Sequence, residues 1–124
     1  RTIIKKQKGL INMANRNNFI TGITEMLILS LLEKGDSYVY QISKSIKDLS
    51  DNSLSISQNT LYSATYKLEN EGYISEYSKK VGKKRTRIYY KLEPEGKQYL
   101  VSIRDNYQQV VQGVHAILCR LNQE

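Results

Sequence analysis

The sequence lacks the features of secreted and membrane-spanning proteins. It contains no Trp, one Pro and one Cys, so an internal disulfide is excluded and a reducing compartment, the cytoplasm, is expected. The longest apolar run, Met26-Leu27-Ile28-Leu29, is too short to cross a membrane, and residues 9–18 are too polar for a signal peptide. With 124 residues, 40% of them apolar, and seven Gly, the chain is expected to form one small ordered domain.

Residues that carry catalysis or bind metals are also scarce. The sequence has one His and one Cys, no Gly-rich phosphate loop, and no Ser or Cys nucleophile with a supporting base. We therefore expect no enzymatic activity and no cofactor. His115 and Cys119 lie four residues apart, and two such pairs across a dimer would offer four metal ligands. We favour a simple surface pair and predict no metal site.

Acidic residues are missing from two segments. Residues 1–20 and residues 78–91 contain no Asp or Glu, yet together they hold 12 of the 19 Lys and Arg residues. The rest of the chain holds seven basic and 12 acidic residues, a net charge of −5 against +7 for the whole chain. Basic segments on an otherwise acidic protein are typical of polyanion binding.

Residues 1–20 show no sustained hydrophobic period and are interpreted as a basic N-terminal arm, either flexible or loosely helical. The chain does not begin with Met, and Met13-Ala14 resembles a natural start. One interpretation is therefore that residues 1–12 are a leader or an added segment, which would remove four positive charges. The basic cluster at 78–91 would be unaffected.

Apolar residues at three- and four-residue steps predict two amphipathic helices in the first half of the chain. The first begins at Thr21 and ends at Gly35. A turn at Asp36-Ser37 would supply the N-cap of the second. After it, the alternation of Leu54 and Ile56 allows one short strand. The inner stripe of the second helix is expected to comprise Val39, Ile42, Ile46 and Leu49.

A third helix and a hairpin follow. Ser57 suits the helix N-cap, and Gly72 suits the left-handed position just after its end. Residues 73–77 and 86–92 are rich in β-formers and are joined by a basic loop around Gly82, which predicts a β-hairpin with a wing-like tip. The narrow buried face of the third helix is expected to comprise Leu61, Ala64 and Leu68.

The last helix is predicted to begin at Pro94, which suits a first helical turn. Its apolar residues recur at alternating steps of three and four, which is a heptad seam over three repeats. A seam of this length projects beyond so small a domain and needs a partner to bury it, so we predict a homodimer. The predicted dimerisation residues are Leu100, Ile103, Tyr107, Val110, Val114, Ile117 and Leu121.

The order of these elements predicts a winged helix-turn-helix. The expected fold class is mainly α with a small β-hairpin (α+β), extended by a long C-terminal dimerisation helix. Three parts are expected: the N-terminal arm 1–20, the winged helix-turn-helix domain 21–93, and the dimerisation helix 94–124.

The third helix carries the side chains expected to read DNA. An α-helix fits the major groove, where polar groups near its N-terminus meet base edges, and Gln and Asn suit bidentate contacts to adenine. For any one of these residues the alternative is an ordinary solvated first turn, since Ser, Asn and Thr also cap helices. The predicted contacts are Ser57, Gln58, Asn59, Thr60, Tyr62, Ser63 and Lys67, with Ser63 and Lys67 directed at phosphates.

The hairpin is expected to contact the DNA backbone. A cationic tip can lie along phosphates, with one Arg or Lys entering the minor groove. The alternative is a solubilising charge run, but seven cations without an anion across one hairpin favour DNA. Tyr38, at the start of the second helix, is a further candidate phosphate donor, with packing as the alternative. The predicted cationic contacts are Lys83, Lys84, Arg85 and Arg87.

Four spaced motifs stand in this part of the chain: Tyr38-Val39-Tyr40-Gln41-Ile42, Asn59-Thr60-Leu61-Tyr62, the run from Lys67 to Ile74, and residues 87–92 followed by Gly96. Over residues 21–121 the sequence resembles the PadR family of bacterial transcriptional regulators. Its single short C-terminal helix is similar to that of the compact subfamily that includes multidrug-sensing repressors. The resemblance implies a dimeric repressor that binds a palindromic operator and is released by a small molecule or another signal.

The sequence departs from the family pattern in three segments. Asn59 and Ser63 stand at the ends of a segment that is often Gly-Thr-Leu-Tyr-Pro in the family. Residues 39–42 replace a Gly-Tyr-Glu-Ile segment, and Glu93 replaces a Thr before the last helix, which removes a good N-cap. The first departure is expected to alter operator preference.

Tyr107 stands where drug-sensing relatives have a Trp that stacks on flat aromatic ligands. The resemblance therefore suggests a small-molecule effector site between the subunits. The alternative, which we favour, is that Tyr107 is a heptad core residue with its hydroxyl in water. The residues expected to line such a site are Tyr107, Ile103, Val110 and Val111.

The leading interpretation is a sequence-specific, DNA-binding transcriptional repressor. It would be cytoplasmic and nucleoid-associated, and its partners would be double-stranded operator DNA, a second subunit and a small-molecule effector, but no membrane. Two alternatives remain open: a winged-helix protein of replication or plasmid maintenance, and a dimeric protein-interaction module whose wing binds an acidic partner. Binding to duplex DNA with a steep salt dependence would favour the repressor and the replication protein over the interaction module. Strong preference for a palindrome over random duplex would then select the repressor over the replication protein.

Overall fold

The computed structural model describes residue 20 and residues 22–123. Helix α1 spans residues 22–34, helix α2 Val39–Leu49 and helix α3 Gln58–Asn70. Apart from Ile20, the predicted arm 1–20 and the leader segment 1–12 within it lie outside the described residues.

A hairpin and a long helix complete the described fold. Strands β1 (Ile74–Lys80) and β2 (Thr86–Leu92) pair antiparallel, and helix α4 spans Pro94–Leu121. Four helices and a two-stranded hairpin in this order, over the described residues, confirm the expected fold class: mainly α with a small β-hairpin, arranged as a winged helix-turn-helix.

The core lies where the three short helices meet the base of the hairpin and the first turns of α4. Removal of this apolar surface from water is the main driving force for folding, and each fully buried Leu or Ile contributes roughly 1.5–3 kcal/mol. The fully buried aliphatic side chains come from all four helices: Ile28, Leu29, Ile42, Leu61, Leu68 and Leu100.

Helix α3 buries a different third residue from the one expected. Leu61 and Leu68 are buried as predicted, but Ala64 is only half-buried, whereas Thr65 is 1% exposed. The Thr65 hydroxyl donates to the Tyr62 carbonyl at 3.0 Å. Because this bond satisfies the hydroxyl within the helix, the side chain can be buried without an unpaired donor.

The C-terminus of α3 ends as the sequence predicts. Gly72 adopts φ +79°, a left-handed conformation that Gly takes without steric cost. Its N–H donates to the Glu69 carbonyl at 2.9 Å, and the Tyr73 N–H donates to the Leu68 carbonyl at 3.0 Å. These two bonds form a Schellman motif, which turns the chain from α3 directly into β1.

The start of α2 differs from the expectation. Asp36-Ser37 does not supply the N-cap, which is Tyr38 without a side-chain cap bond. Ser37 instead pairs with β2, because its N–H donates to the Tyr90 carbonyl at 3.2 Å and its carbonyl accepts the Tyr90 N–H at 2.8 Å. This bridge ties the helix-turn-helix to the hairpin.

Two further expectations near α2 are wrong. Leu49 is 76% exposed rather than part of the inner stripe, because it is the last residue of the helix and lies beyond the core. Leu54 and Ile56 form no strand. The preceding chain turns at Asp51 and Asn52, which have positive φ, and the Leu54 N–H donates to the Ser50 hydroxyl at 3.0 Å instead of to a neighbouring strand.

The hairpin is longer than predicted on one side. Strand β1 continues past Tyr77 to Lys80, and its register pairs Tyr77 with Tyr89 and Lys79 with Arg87. Because side chains alternate along a strand, these two pairs lie on the same face of the hairpin.

Helix α4 has a buried beginning and an exposed end. Pro94 lies in its first turn, as predicted, and Glu93 is an N-cap residue without a side-chain cap bond. Gly96 and Leu100 are buried, whereas every residue from 105 to 123 is exposed. Within the described residues, no helix combines the length and the apolar character needed to span a membrane.

Candidate nucleic-acid interface

Helix α3 presents a polar surface at its N-terminus. The Ser57 hydroxyl accepts the Thr60 N–H at 3.2 Å and lies 2.9 Å from the Thr60 hydroxyl, so it caps the helix. Inward-facing Leu61 and Leu68 fix the orientation of the helix about its axis. The remaining side chains of the first turns therefore point away from the core.

The structure brings all the predicted reading residues to this one exposed surface. Each is a residue of α3 or its cap, and each is exposed; Tyr62 is 53% exposed despite its aromatic ring. Tyr66, which was not included in the prediction, is 69% exposed on the same helix. The exposed set comprises Ser57, Gln58, Asn59, Thr60, Tyr62, Ser63, Tyr66 and Lys67.

The wing, meaning β1, β2 and the turn between them, presents the second surface. In the turn, the Val81 N–H donates to the Arg85 carbonyl at 2.8 Å, and Gly82 has φ +91°. This closed turn holds Lys83, Lys84 and Arg85 at the tip, where all three are exposed. None of the ion pairs found among the described residues involves a wing cation.

Along the middle and outer part of the wing, aromatic rings and cations pack together. The Arg87 guanidinium lies 4.3 Å from the centre of the Tyr38 ring, and Lys79 Nζ lies 5.3 Å from the Tyr89 ring. Both distances are within the range of cation–π attraction. Tyr89 also stacks on Tyr77 and meets Tyr38 edge-on. The predicted phosphate contacts Tyr38 and Arg87 are thus in direct contact.

A hydrogen bond fixes this cluster to the helix-turn-helix. The Tyr77 hydroxyl donates to Asp36 Oδ2 at 2.7 Å, and this bond raises the pKa of Tyr77 above its usual value. Sequence reasoning missed Tyr77, Lys79 and Tyr89 as parts of the site. Strand alternation could have found them, because residues 77 and 79 face the same side as residues 87 and 89 once the register is known.

A groove connects the two surfaces. It encloses about 390 Å³ between the start of α2, the outer face of α3 and the edge of β2. Its walls carry phenol groups and one guanidinium, which donate hydrogen bonds to anionic oxygens, and one carboxylate, that of Glu76. The other polar residues of the walls include Tyr38, Tyr40, Tyr62, Arg87 and Tyr90.

Lys67 differs from the other cations of the interface. Its Nζ lies 3.1 Å from Glu25 Oε1 on α1, and the hydrogen bond to this carboxylate raises the pKa of Lys67 above its usual value. The Tyr99 hydroxyl donates to Glu25 Oε2 at 2.9 Å. Burial, followed by this hydrogen bond, raises the pKa of Tyr99 to about 12.

The structure divides the predicted dimerisation residues into two groups. Leu100 is fully buried in its own subunit's core, because α4 packs there against the other helices, so its assignment to an intersubunit seam is wrong. Ile103 is half-buried beside the same core. The other predicted residues are exposed by 42–68%: Tyr107, Val110, Val114, Ile117 and Leu121.

A cavity of about 370 Å³ lies between α1 and α4. Of the residues expected to line an effector site, Ile103, Tyr107 and Val110 border it, whereas Val111 does not. Met26 and Glu25 from α1 form the opposite wall. The cavity therefore combines apolar surface with one carboxylate.

The pair His115 and Cys119 lies on the exposed part of α4, with Sγ 3.4 Å from Nε2. Within the described part of the chain, no group of three or more His, Cys, Asp or Glu residues is placed to hold a metal ion.

Comparison with known proteins identifies similar chains. Residues 28–102 match the model of the transcriptional regulator PadR-like family. A curated, uncharacterized protein from Lysinibacillus sphaericus is 33% identical over 95 residues, which cover 77% of this chain and 87% of that protein.

Solved structures extend the similarity to the fold. A transcriptional regulator from Clostridium thermocellum is 37% identical with a TM-score of 0.74, over 79% of this chain and 95% of that one. PadR from Bacillus subtilis, solved in complex with operator DNA, is 30% identical with a TM-score of 0.60, over 64% of this chain and 45% of that one.

Proposed function

Because this chain belongs to the PadR-like family of DNA-binding transcriptional regulators, we propose that it is a homodimeric repressor of a palindromic operator. Its family consists of transcriptional regulators and not of enzymes. The observation that carries the proposal is the joint exposure of the capped polar end of α3 and of the wing-tip cations, which take part in none of the ion pairs within the described part of the chain.

The first turns of α3 are proposed to read base edges in the major groove. The amides of Gln58 and Asn59 are exposed beside the Ser57 cap, and each can make a bidentate contact to adenine. Ser57, Thr60, Tyr62 and Ser63 offer hydroxyls to neighbouring bases and phosphates. Operator preference is proposed to depend most on Gln58, Asn59 and Ser63.

The wing is proposed to follow the DNA backbone. Lys83, Lys84 and Arg85 sit on a closed turn and have no carboxylate partner among the described residues, so their charge is available to phosphates. Arg87 and Tyr38 pack on one another at the edge of the groove between α3 and the wing. They are proposed to contact the phosphate that lies between the base-reading helix and the wing tip.

The exposed half of α4 supports the proposed dimer. Among the described residues, its apolar side chains are exposed by 42–68%, and an apolar helical stripe of this length is normally covered by a partner helix. A two-fold dimer would present two copies of α3 to two half-sites one or more helical turns apart, which is the reason for expecting a palindrome.

The cavity between α1 and α4 is the proposed location of effector control. It borders Tyr107 at the start of the exposed α4 segment. A small aromatic ligand there would contact both the dimerisation helix and α1, so its binding would change the spacing of the two α3 helices and release the operator. As a repressor of chromosomal operators, the protein is proposed to act in the cytoplasm.

The test of the proposal is operator selection followed by salt titration. Duplexes bound by the full chain are selected from a random pool, and affinity for the selected site is then measured by fluorescence anisotropy at several salt concentrations. A palindromic selected site, bound at least about 10³-fold more tightly than random duplex, is expected of a specific regulator. Selection of no preferred sequence would contradict the proposal.

A pair of double variants tests the wing. Replacing Lys83 and Lys84 by Gln removes two proposed phosphate contacts, so the slope of log affinity against log salt should flatten by about 1.8, or about 0.9 for each contact. The matched control replaces Lys97 and Arg120, two exposed cations of α4, by Gln and should leave the slope unchanged. Equal slopes for both double variants would rule out the wing as the backbone contact.

A further inference from the structure

Glu25 connects three helices through its two carboxylate oxygens. Oε1 lies 3.1 Å from Lys67 Nζ on α3, and Oε2 accepts the Tyr99 hydroxyl of α4 at 2.9 Å. Each oxygen thus has a partner from a different element. The carboxylate is the direct link between the proposed base-reading helix and the helix that continues into the exposed stripe.

Glu25 is held more firmly than Lys67. The Tyr99 ring stacks on Tyr73 with ring centres 4.2 Å apart and planes within 5°, and the Tyr73 carbonyl accepts the Glu93 N–H at 3.0 Å. The Lys67 side chain is 66% exposed, whereas that of Glu25 is only 24% exposed. The flexible ammonium therefore takes its position from the fixed carboxylate.

The pair lies beside the surface proposed to meet DNA. A groove of about 430 Å³ runs between α1 and α3 and is lined by Glu25, Lys67, Thr60 and Ser63. Three of these four residues, Thr60, Ser63 and Lys67, belong to the exposed set of α3. If the Lys67 ammonium were not bound to Glu25, it would lie at the surface that is proposed to face the DNA backbone phosphates.

An exposed ion pair alone would be a weak restraint, because such pairs are worth at most about 1 kcal/mol. Here, separating Lys67 from Glu25 costs more for Glu25 than for Lys67. If Lys67 turned to a phosphate, the half-buried Glu25 carboxylate would keep its negative charge next to the DNA with Tyr99 as its remaining partner. Leaving a partly buried charge unpaired is costly, and a carboxylate beside phosphates is repelled by them.

We propose that Glu25 is a positioning residue that withholds the Lys67 ammonium from DNA phosphates, and that Tyr99 fixes Glu25 for this role. The proposal rests on the proposed DNA-binding function and replaces the phosphate contact that the sequence predicted for Lys67. The DNA surface of α3 then acts through hydrogen bonds to bases, while the wing supplies the charge. A base-reading helix without a free cation discriminates better, because phosphate attraction is independent of sequence.

The proposal is tested by a double-mutant cycle on the slope of log affinity against log salt, with the full chain and a random duplex. Glu25→Gln keeps the side-chain volume and the acceptor for Tyr99 but frees Lys67. The slope should steepen by about 0.9, the value for one added phosphate contact. Lys67→Gln alone should leave the wild-type slope unchanged, and in the Glu25→Gln background it should restore that slope.

Two further variants separate this role from a general change of charge or fold. Glu33→Gln breaks a second ion pair of the described residues, in which Arg104 Nη2 lies 3.2 Å from Glu33 Oε1. It does not involve α3 and should leave the slope unchanged. Tyr99→Phe keeps the ring stack but removes the hydroxyl, and should steepen the slope by less than Glu25→Gln does.

Three results would overturn the inference. Lys67→Gln flattening the wild-type slope by about 0.9 would mean that Lys67 already contacts a phosphate. A steeper slope for Glu25→Gln in the Lys67→Gln background as well would mean that the carboxylate acts through its own charge. An unchanged slope in the single variant Glu25→Gln would mean that the ion pair has no role. In all three cases the wild type still binds duplex; absence of salt-dependent binding by the wild type would instead refute the proposed function itself.

Discussion

Gly96 is the position where one methyl group should damage this fold most clearly. A Cβ there would overlap the Tyr73 carbonyl, with the carbonyl carbon 2.8 Å away and Leu92 Cδ1 2.9 Å away, whereas carbon atoms pack at about 3.5–4.0 Å. The first turn of α4 would have to move away from the start of β1. The same carbonyl accepts the Glu93 N–H, so that hydrogen bond would be strained as well.

The expected magnitude follows from three terms. Overpacking of this kind costs about 1–3 kcal/mol, and weakening the Tyr73–Glu93 hydrogen bond costs about 1 kcal/mol. Replacing Gly by Ala within a helix returns about 1 kcal/mol. We therefore expect Gly96→Ala to lower the free energy of unfolding by about 1–3 kcal/mol.

Gly113 offers a matched control in the same helix, because a Cβ at that position meets no atom within 4 Å. Gly113→Ala should raise the free energy of unfolding by about 1 kcal/mol through helix propensity alone. Both variants are compared by urea unfolding followed by circular dichroism, at one fixed protein concentration because association would shift the midpoint. A Gly96→Ala variant as stable as Gly113→Ala would refute the close approach of α4 to Tyr73.

Three other changes have defined outcomes. Ser57→Ala removes the cap bond to the Thr60 N–H and should lower the free energy of unfolding by about 1 kcal/mol in urea; no loss would mean that the cap is not formed. Burial raises the pKa of Tyr99 to about 12, above the value of about 10 in an unfolded chain. The protonated Tyr99 hydroxyl therefore contributes to stability below pH 10, and this contribution is lost as pH rises to 12. The difference between the absorbance titrations of the wild type and of Tyr99→Phe at alkaline pH should show one tyrosinate that forms near pH 12, and a difference centred near pH 10 would contradict this. Val114→Glu should convert the proposed dimer to monomer in sedimentation, while Val101→Glu, an equally exposed position on the same helix, should not; a dimeric Val114→Glu would remove the exposed stripe as the interface.

The parts of the fold that depend on neighbours in sequence could be predicted. The limits of α3 follow from Ser57 and Gly72, since a cap and a left-handed residue act within one turn of the helix. The wing follows from two β-rich runs around Gly82. The burial of Thr65 was not predicted, because Thr is a polar residue and the periodicity of apolar residues passes over it. Its burial depends on the hydrogen bond from its hydroxyl to the Tyr62 carbonyl.

The parts that depend on contacts between distant residues could not be predicted. Lys67 and Glu25 are 42 positions apart in the numbering, and no local pattern indicates that they meet. The packing of Arg87 on Tyr38 is of the same kind. Heptad spacing identified the stripe on α4 but could not distinguish the residue that faces its own core, Leu100, from residues that face outward.

The unequal halves of α4 have a consequence for the amount of protein in a cell. Among the described residues, every residue of the segment from 105 to 121 is exposed, and an isolated helix of about this length is marginal in water. A subunit without a partner would open there often and be cut by proteases, which act on exposed, frayed chain ends. Pairing would then protect each subunit from degradation, and unpaired copies would be cleared first. When the rate of synthesis falls, the number of dimers able to occupy an operator would therefore fall by a larger factor than the rate of synthesis does.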